Sequence, residues 1–407
     1  MLKHKFFTGQ PIFTQLLSFI PPSVIKAACD QFDADRYCKR FKTYDHLVSM
    51  LYVGFYQCTS LREAITGMQA NSLKLFHTGL RSTPRRSTLS DANKRRTAAV
   101  FEQIYHLLYR HHYGGLPDSR SKKTGGRDNL YIIDSTTVTL FSNIIKGAGS
   151  CKSNGRKKGG VKAHLLLNAQ HNVASFIRIT EGRQNDLVFL QGLEVPAGSV
   201  VVFDRAYTNY RKFQQWTDQS VTWVTRQKND AVWEILLTRP LDKATKQTGI
   251  LQDKDVRIGR PSNRSKTPLI KARRIVYKDA KTKKRFVFLT NDMLSPAQLI
   301  CDTYKRRWQI ELVFRRIKQR YPLRYFLGDN ENAIHIQLWT ALICDLLIQI
   351  VKDHVKRKAD SRWSYANLAS MIKHHLMTYI QLIPFLINPE KALINYTPPP
   401  PQRLTLF

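Results

Sequence analysis

The sequence predicts an α/β protein: a mixed-sheet domain interrupted by a β-rich insertion and preceded by a helical N-terminal region. Three observations carry this prediction. Residues 1–112 repeat apolar side chains at helical spacing, and β-branched segments alternating with helices begin at residue 130. Residues 239–285 then combine strand-like pieces with 16 Lys and Arg against 4 Asp.

In the first segment, Ile12, Leu16, Leu17 and Ile20, then Leu47, Met50, Leu51 and Phe55, mark amphipathic helices. Ser60 and Glu63 have the spacing of a capping box that opens a helix. Residues 82–91 read as a turn capping another helix that runs to about residue 112. The basic residues Arg81, Arg85 and Arg86 suit two readings, a helix-turn-helix reader of DNA and a helical hairpin with a solvated basic loop. Residues 113–128, rich in Gly, Ser and Lys, read as a linker.

Beyond the linker, residues 130–140, 164–168 and 174–180 are expected strands, the last two joined by a short turn. A helix follows from about Asp186, a strand at 199–204, a helix at 209–217 and a strand at 221–225. This order is that of the ribonuclease-H-like (retroviral-integrase-like) mixed-sheet fold, whose active site gathers at one edge of the sheet. The expected organisation is a helical DNA-binding domain at 1–112, the linker at 113–128, and a catalytic domain in two pieces, 129–226 and 291–350. The basic β-rich insertion takes 227–290, and a C-terminal helical region with a proline-rich tail takes 351–407.

Lys and Arg number 65 against 30 Asp and Glu, a net charge of +35. A compact chain at that charge repels itself unless a polyanion neutralises it, which points to nucleic acid. Membrane attachment through basic charge needs an amphipathic or lipidated element, and the sequence shows neither. The one strongly apolar stretch, 334–351, contains His335, Gln337, Asp345 and Gln349, too many polar groups for a bilayer span. It reads as the core helix of a soluble protein. Six cysteines without CxxC or CxxH spacing argue against a zinc site or a disulfide framework and suit a reducing cytosol. The first residues form no signal-peptide run.

Asp134 interrupts an apolar strand and Asp204 ends another, so each needs a cation or a donor if buried. A third acid, Glu311, is alone among eight Lys and Arg between residues 304 and 324. On one continuous helix, Tyr304, Arg307, Glu311 and Lys318 fall at about 0, 300, 340 and 320°, one narrow polar face. Ile310, Val313 and Ile317 fall at about 240, 180 and 220°, a separate apolar stripe. Three carboxylates brought together repel by roughly 4 kcal/mol per pair at 4 Å in a moderate dielectric. A divalent cation reverses that sign, and oxygen-only ligands favour Mg2+ or Mn2+ over zinc. Two such ions suit cleavage and transfer at a phosphodiester, with Tyr304, Arg307 and Lys318 holding the flanking phosphates.

These patterns resemble a known family. Asp134-Ser-Thr, Asp204-Arg-Ala-Tyr207 and Tyr304-x2-Arg307-x3-Glu311-x6-Lys318 are similar to the three signature regions of bacterial insertion-sequence DDE transposases of the Y-R-E-K group. The residues around Phe7 to Phe13 are similar to an N-terminal domain often found in them. The resemblance implies that Asp134, Asp204 and Glu311 form a catalytic, metal-binding triad for two Mg2+ or Mn2+ ions. It implies that Tyr304, Arg307 and Lys318 contact double-stranded DNA at the element's ends. The expected activity is strand cleavage and strand transfer at terminal inverted repeats, with target DNA as second substrate. The protein would work as a homodimer or larger synaptic complex in the bacterial cytoplasm, on the nucleoid. A metal-dependent nuclease or resolvase on the same fold, or a non-catalytic DNA-binding derivative, are the alternatives.

Further basic residues are expected on DNA: Arg85 and Arg86 in the N-terminal region, Lys157 and Lys158 in a basic loop, and Lys271, Arg273 and Arg274 in the insertion. Lys162 and His164 share one strand face and either line the site or support it. Asp186 reads as a helix cap rather than a fourth ligand, while Tyr207 and Arg205 suit either DNA contact or packing behind the triad. Trp223 and Trp233 suit stacking on a base or burial in the core. If the charge serves DNA, binding to an end-containing duplex should fall with log[salt] at a slope of about −0.9 per phosphate neutralised. Gel shifts across a salt series measure this, and a nearly flat slope would refute it.

Overall fold

The structure is a computed structural model that describes residues 9–114, 129–139, 150–153, 156–181, 186–259, 268–321, 323, 327–328, 330–358 and 363–394. Most of the expected linker and the proline-rich tail lie outside the described residues. The chain divides into two compact units, a helical one (Met1–Asp118 with Ile317–Phe407) and a sheet unit (Ser119–Arg316).

The helical unit begins with α1 (Ile12–Leu17), α2 (Pro22–Gln31), α3 (Thr43–Tyr56), α4 (Leu61–Ala70), α5 (Ser72–Leu75), α6 (Arg86–Arg95) and α7 (Ala99–Tyr113). Ser60 caps α4 by accepting from the Glu63 amide, and the Glu63 carboxylate accepts from the Thr59 amide and hydroxyl. The helix expected from residue 91 to 112 is two helices. Arg96 leaves helical geometry and turns inward, donating to the Phe41 carbonyl at 3.0 Å, so the helical ladder ends there. Asn332 fills the break, donating to the Asn93 and Arg96 carbonyls and accepting from the Ala98 amide.

The sheet unit contains β1 (Leu130–Thr139), β2 (Ser150–Ser153), β3 (Arg156–Asn168), β4 (Val173–Glu181), β5 (Val200–Phe203) and β6 (Thr222–Arg226). They are followed by β7 (Trp233–Thr238), β8 (Ile250–Ile258), β9 (Ile270–Lys278) and β10 (Arg285–Thr290). Its helices are α8 (Tyr210–Asp218), α9 (Lys243–Gln247), α10 (Ala297–Lys305) and most of α11 (Trp308–Arg320). One ten-stranded sheet runs β2-β3-β1-β5-β6-β10-β9-β8-β7, with β4 also on β3. The β1, β3 and β4 pairings are antiparallel, and β1–β5 and β5–β6 are parallel, the expected ribonuclease-H-like mixture. The insertion forms no separate sheet: β10 pairs antiparallel with β6, and β9, β8 and β7 carry the sheet outward.

One face of the sheet is apolar, with Ile133, Leu166, Val201 and Phe203 packed against Phe189, Phe213 and Trp216. Trp223 belongs to this core, its ring 4.5 Å from Phe213 and its Nε1 donating to Thr217. It is therefore not available to stack on a base.

The helical unit resumes after the sheet with α12 (Glu331–Lys358), α13 (Tyr365–His374), α14 (Leu382–Ile387) and α15 (Pro389–Ile394). In contact terms α12 belongs here, against α3 and α7, whereas the sequence reading continues the catalytic domain to residue 350. It is long and apolar enough to span a bilayer, yet 94% of its apolar window is buried inside the protein. A Cβ at Gly54 would lie 2.7 Å from the Cys344 sulfur, so glycine lets α3 approach α12.

Two expectations are corrected. The helix expected through residues 304–318 breaks at Arg306 and Arg307, where the Arg307 amide bonds the Tyr304 carbonyl and the Gln309 amide the Arg306 carbonyl. These i→i−3 bonds tighten the turn between α10 and α11. Arg273, expected on DNA, is 4% exposed and pairs with Asp253 through Nε and Nη2, at 2.8 and 2.6 Å. Its Nη1 also donates to the Ser295 carbonyl, tying β9 to the segment before α10. Arg273→Ala leaves Asp253 buried without its cation and should cost about 3–5 kcal/mol in urea unfolding, whereas exposed Lys271→Ala should stay within about 0.5 kcal/mol. Equal stabilities would refute the structural role.

Candidate active site

The parallel register of β1 and β5 sets the first two acids side by side. Its last pair is Ile133 with Phe203, so Asp134 and Asp204 occupy the next position on each chain. Successive residues alternate faces, so both acids point away from the Phe203 core. The Asp134 side chain is 15% exposed and accepts a hydrogen bond from the Ser135 amide at 2.8 Å.

The break between α10 and α11 aims three further side chains at these acids. Arg307 Nη1 donates to Asp134 Oδ2 at 2.5 Å and lies 3.9 Å from Glu311 Oε1. Tyr304, on α10, directs its hydroxyl at Asp204 Oδ1 with a long 3.5 Å contact. Its phenol is pushed up to about 12, chiefly by burial and then by the Asp204 charge. Burial also raises the Asp134 carboxyl to about 6; Arg307 and the Ser135 amide oppose that rise, and the charges of Glu311 and Asp204 add to it. The carboxylates thus feel one another, and a guanidinium stands between two of them.

The donor set is all oxygen, without sulfur or imidazole, which matches a hard divalent cation. Among the described residues, no three His, Cys, Asp or Glu side chains are gathered tightly enough to hold an ion as placed. Arg307 supplies positive charge between Asp134 and Glu311 in this arrangement, and the residues fit such an ion by their oxygen chemistry.

The other expected residues are placed as follows. Lys318 is exposed on α11, two turns beyond Glu311 on nearly the same face. Arg85 is the N-cap of α6 and Arg86 its first residue, both exposed. Lys271 is exposed on β9, while Arg274 lies over the Trp233 ring at 4.3 Å with its Nε donating to Gln227. Lys157 and Lys158 form part of β3, and their side chains lie outside the described residues. The sequence reading passed over Ser135, which directly faces His164 across β1 and β3 and donates to Asp186 at 3.3 Å. Its position beside Asp134 in an alternating strand was the available signal.

Comparison with known proteins identifies a family. The family described as Transposase DDE domain matches residues 125–347, more than half of the chain and all the residues converging here. A domain of unknown function (DUF4372) matches residues 8–81. A putative transposase, y4zB, of Sinorhizobium fredii is 34% identical over 270 residues, covering 66% of this chain and 72% of that protein. A probable transposase for insertion sequence element IS5377 of Geobacillus stearothermophilus is 27% identical, covering 58% and 60% respectively. Among solved structures, a piggyBac transposase synaptic complex with hairpin DNA aligns at a TM-score of 0.47 and 10% identity, covering 94% of this chain and 82% of that one. The convergence of two strand acids and one helix acid thus lies inside a matched family, and the chain belongs to the DDE-domain transposases of insertion sequences, enzymes that cleave and join DNA with a divalent metal.

Proposed function

We propose that Asp134, Asp204 and Glu311 are the metal-holding catalytic carboxylates, in the Y-R-E-K arrangement, of a transposase acting on the ends of its own element. One observation carries this reading: acids from β1, the end of β5 and α11 meet around Arg307 and Tyr304. Oxygen-only donors favour Mg2+ or Mn2+, and two ions suit the reaction. When bound, such ions activate a water or 3′-hydroxyl and stabilise the leaving oxygen.

The chain's own residues supply the rest. Asp134 and Asp204 are held by neighbouring parallel strands, so their spacing follows from the sheet. Tyr304 orients Asp204, and Arg307 is a planar fork of the kind that grips phosphate oxygens. Lys318 adds a point charge further along α11. Arg85 and Arg86 of the helical N-terminal domain, 1–112, and Lys157, Lys158, Lys271 and Arg274 are assigned to further DNA contacts, with the basic segment 227–290 as an accessory surface. The ends are joined to target DNA by a homodimer or larger synaptic complex in the bacterial cytoplasm.

Glu311→Gln keeps the side chain's size and removes the charge a metal needs. It should leave end binding near wild type in gel shifts and abolish both nicking and joining. Lys318→Ala should weaken end binding and lower the salt slope by about one unit, with cleavage recoverable at higher protein concentration. Cleavage by folded Glu311→Gln, or by wild type in excess chelator, would overturn the assignment.

Asp134 offers a test on stability. Its carboxyl is raised to about 6 in the folded protein from an ordinary 3.8, so folding favours the protonated form. The cost of burying the charge is absent below about pH 4 and grows as pH rises through 6. In chelator, Asp134→Asn should therefore exceed wild type at pH 8 by up to about 3 kcal/mol, with the gap closing toward pH 4. Urea unfolding at both pH values checks this; an Asn variant less stable at pH 8 would mean that the Arg307 pair outweighs burial.

A further inference from the structure

Behind the acids, on the opposite face of the sheet, lies a polar cluster that the proposed chemistry does not use. Ser135 follows Asp134 and so points to the other face, where it donates to Asp186 Oδ1 at 3.3 Å. His164, fully buried and directly across the ladder from Ser135, places Nδ1 3.3 Å from the Tyr207 hydroxyl and Nε2 3.0 Å from Thr180 Oγ1. Lys162 pairs with the same Asp186 oxygen. Tyr207 is 1% exposed and closes the single-turn helix Arg205–Tyr207 after Asp204, its amide bonding the Asp204 carbonyl at 3.0 Å.

The contacts run continuously from β1 to the turn after Asp204. Lys162 and Ser135 donate to Asp186, and His164 Nδ1 lies 3.7 Å from the same Asp186 oxygen and 3.3 Å from the Tyr207 hydroxyl. The Thr180 hydroxyl beside His164 Nε2 donates to the Lys162 carbonyl. Burial lowers His164 to about 4 against the pull of Asp186, so the imidazole is neutral. Stability alone does not account for these polar residues, because apolar side chains of the same shape would pack beside Phe189 and Phe176 as well. What sets the network apart is where it ends. One terminus is the residue after Asp134, and the other is the turn that follows Asp204.

We propose that Ser135, Tyr207, His164 and Asp186 are positioning residues that fix the separation of Asp134 and Asp204 from behind the sheet. The proposal rests on the reading of those two acids as metal-holding groups. Two strands paired only through Ile133 and Phe203 splay easily beyond that point, and the chain of contacts Ser135–Asp186–His164–Tyr207 joins the segments that follow them. A two-ligand site that splays loses metal affinity before it loses its fold.

The test uses the full chain bound to an end-containing duplex, with Mn2+ as the probe. Binding is followed by electron paramagnetic resonance with the duplex alone subtracted. Tyr207→Phe, which removes a single oxygen, should weaken Mn2+ binding at least fivefold and slow single-turnover cleavage at least tenfold, with end binding within twofold of wild type. Ser135→Ala should behave alike, and Ser135→Thr, which restores the hydroxyl, should recover to within twofold. Phe189→Leu, a purely apolar change in the same core, should lower the melting temperature without moving Mn2+ affinity. The proposal fails if folded Tyr207→Phe binds Mn2+ and cleaves within twofold of wild type while Asp134→Asn loses Mn2+. Should Asp134→Asn also bind Mn2+ normally, the assignment of the acids themselves is what fails. If Ser135→Ala does not fold, Tyr207→Phe decides alone.

Discussion

Burying the carboxylate of Asp134 in an apolar strand is the constraint on which the sheet unit depends. Left unpaired, such a charge costs several kcal/mol. Arg307 and the Ser135 amide offset that cost, and Arg307 reaches the acid because the chain leaves helical geometry between α10 and α11. A continuous helix would carry Arg307 and Glu311 on one face but would not aim the guanidinium at the middle of β1. The break is thus the local consequence of a buried charge elsewhere in the sequence.

The pleat of the sheet divides the labour of neighbouring residues. Asp134 and Asp204 face α10 and α11, while Ser135 and Phe203 face the opposite layer of Phe189, Phe213 and Trp216. The two acids on one side are thereby backed by a largely apolar layer on the other. A polar cluster set among aromatic rings holds its geometry tightly, because each lost hydrogen bond leaves a buried group unsatisfied. Rigid support from behind is what an oxygen-rich site needs when its own members repel.

The basic insertion shows that charge content and charge use differ. Arg273 and Arg239 form ion pairs with Asp253 and Asp255 and also donate to carbonyls at Ser295 and Met293. They fasten β8 and β9 to the segment that starts α10, the helix carrying Tyr304. Lys271, between residues that point inward, is the one of the three expected contacts left fully at the surface. Alternation along β9 does not separate the roles: Lys271 and Arg273 share a face and differ because Arg273 has the acids of β8 beside it, whereas Lys271 stands opposite Arg257.

Much of this protein was legible in the linear chain. Apolar periodicity located the helices, β-branched runs located β1, β3, β4, β5 and β6, and their order named the sheet. The spacing from Tyr304 to Lys318, with Glu311 alone among bases, is likewise a feature of the linear chain. These are short-range properties, set by side-chain pattern and backbone geometry, so sequence alone determines them. Tertiary structure decided what depends on distant partners. It chose the break at Arg306 and Arg307, the inward turn of Arg96, the burial of Arg273 against Asp253, and the contact of His164 with Tyr207 across 43 positions. Whether an arginine grips a phosphate or a buried aspartate is an energy comparison between desolvation and pairing, and its terms exist only once the chain has brought the partners together.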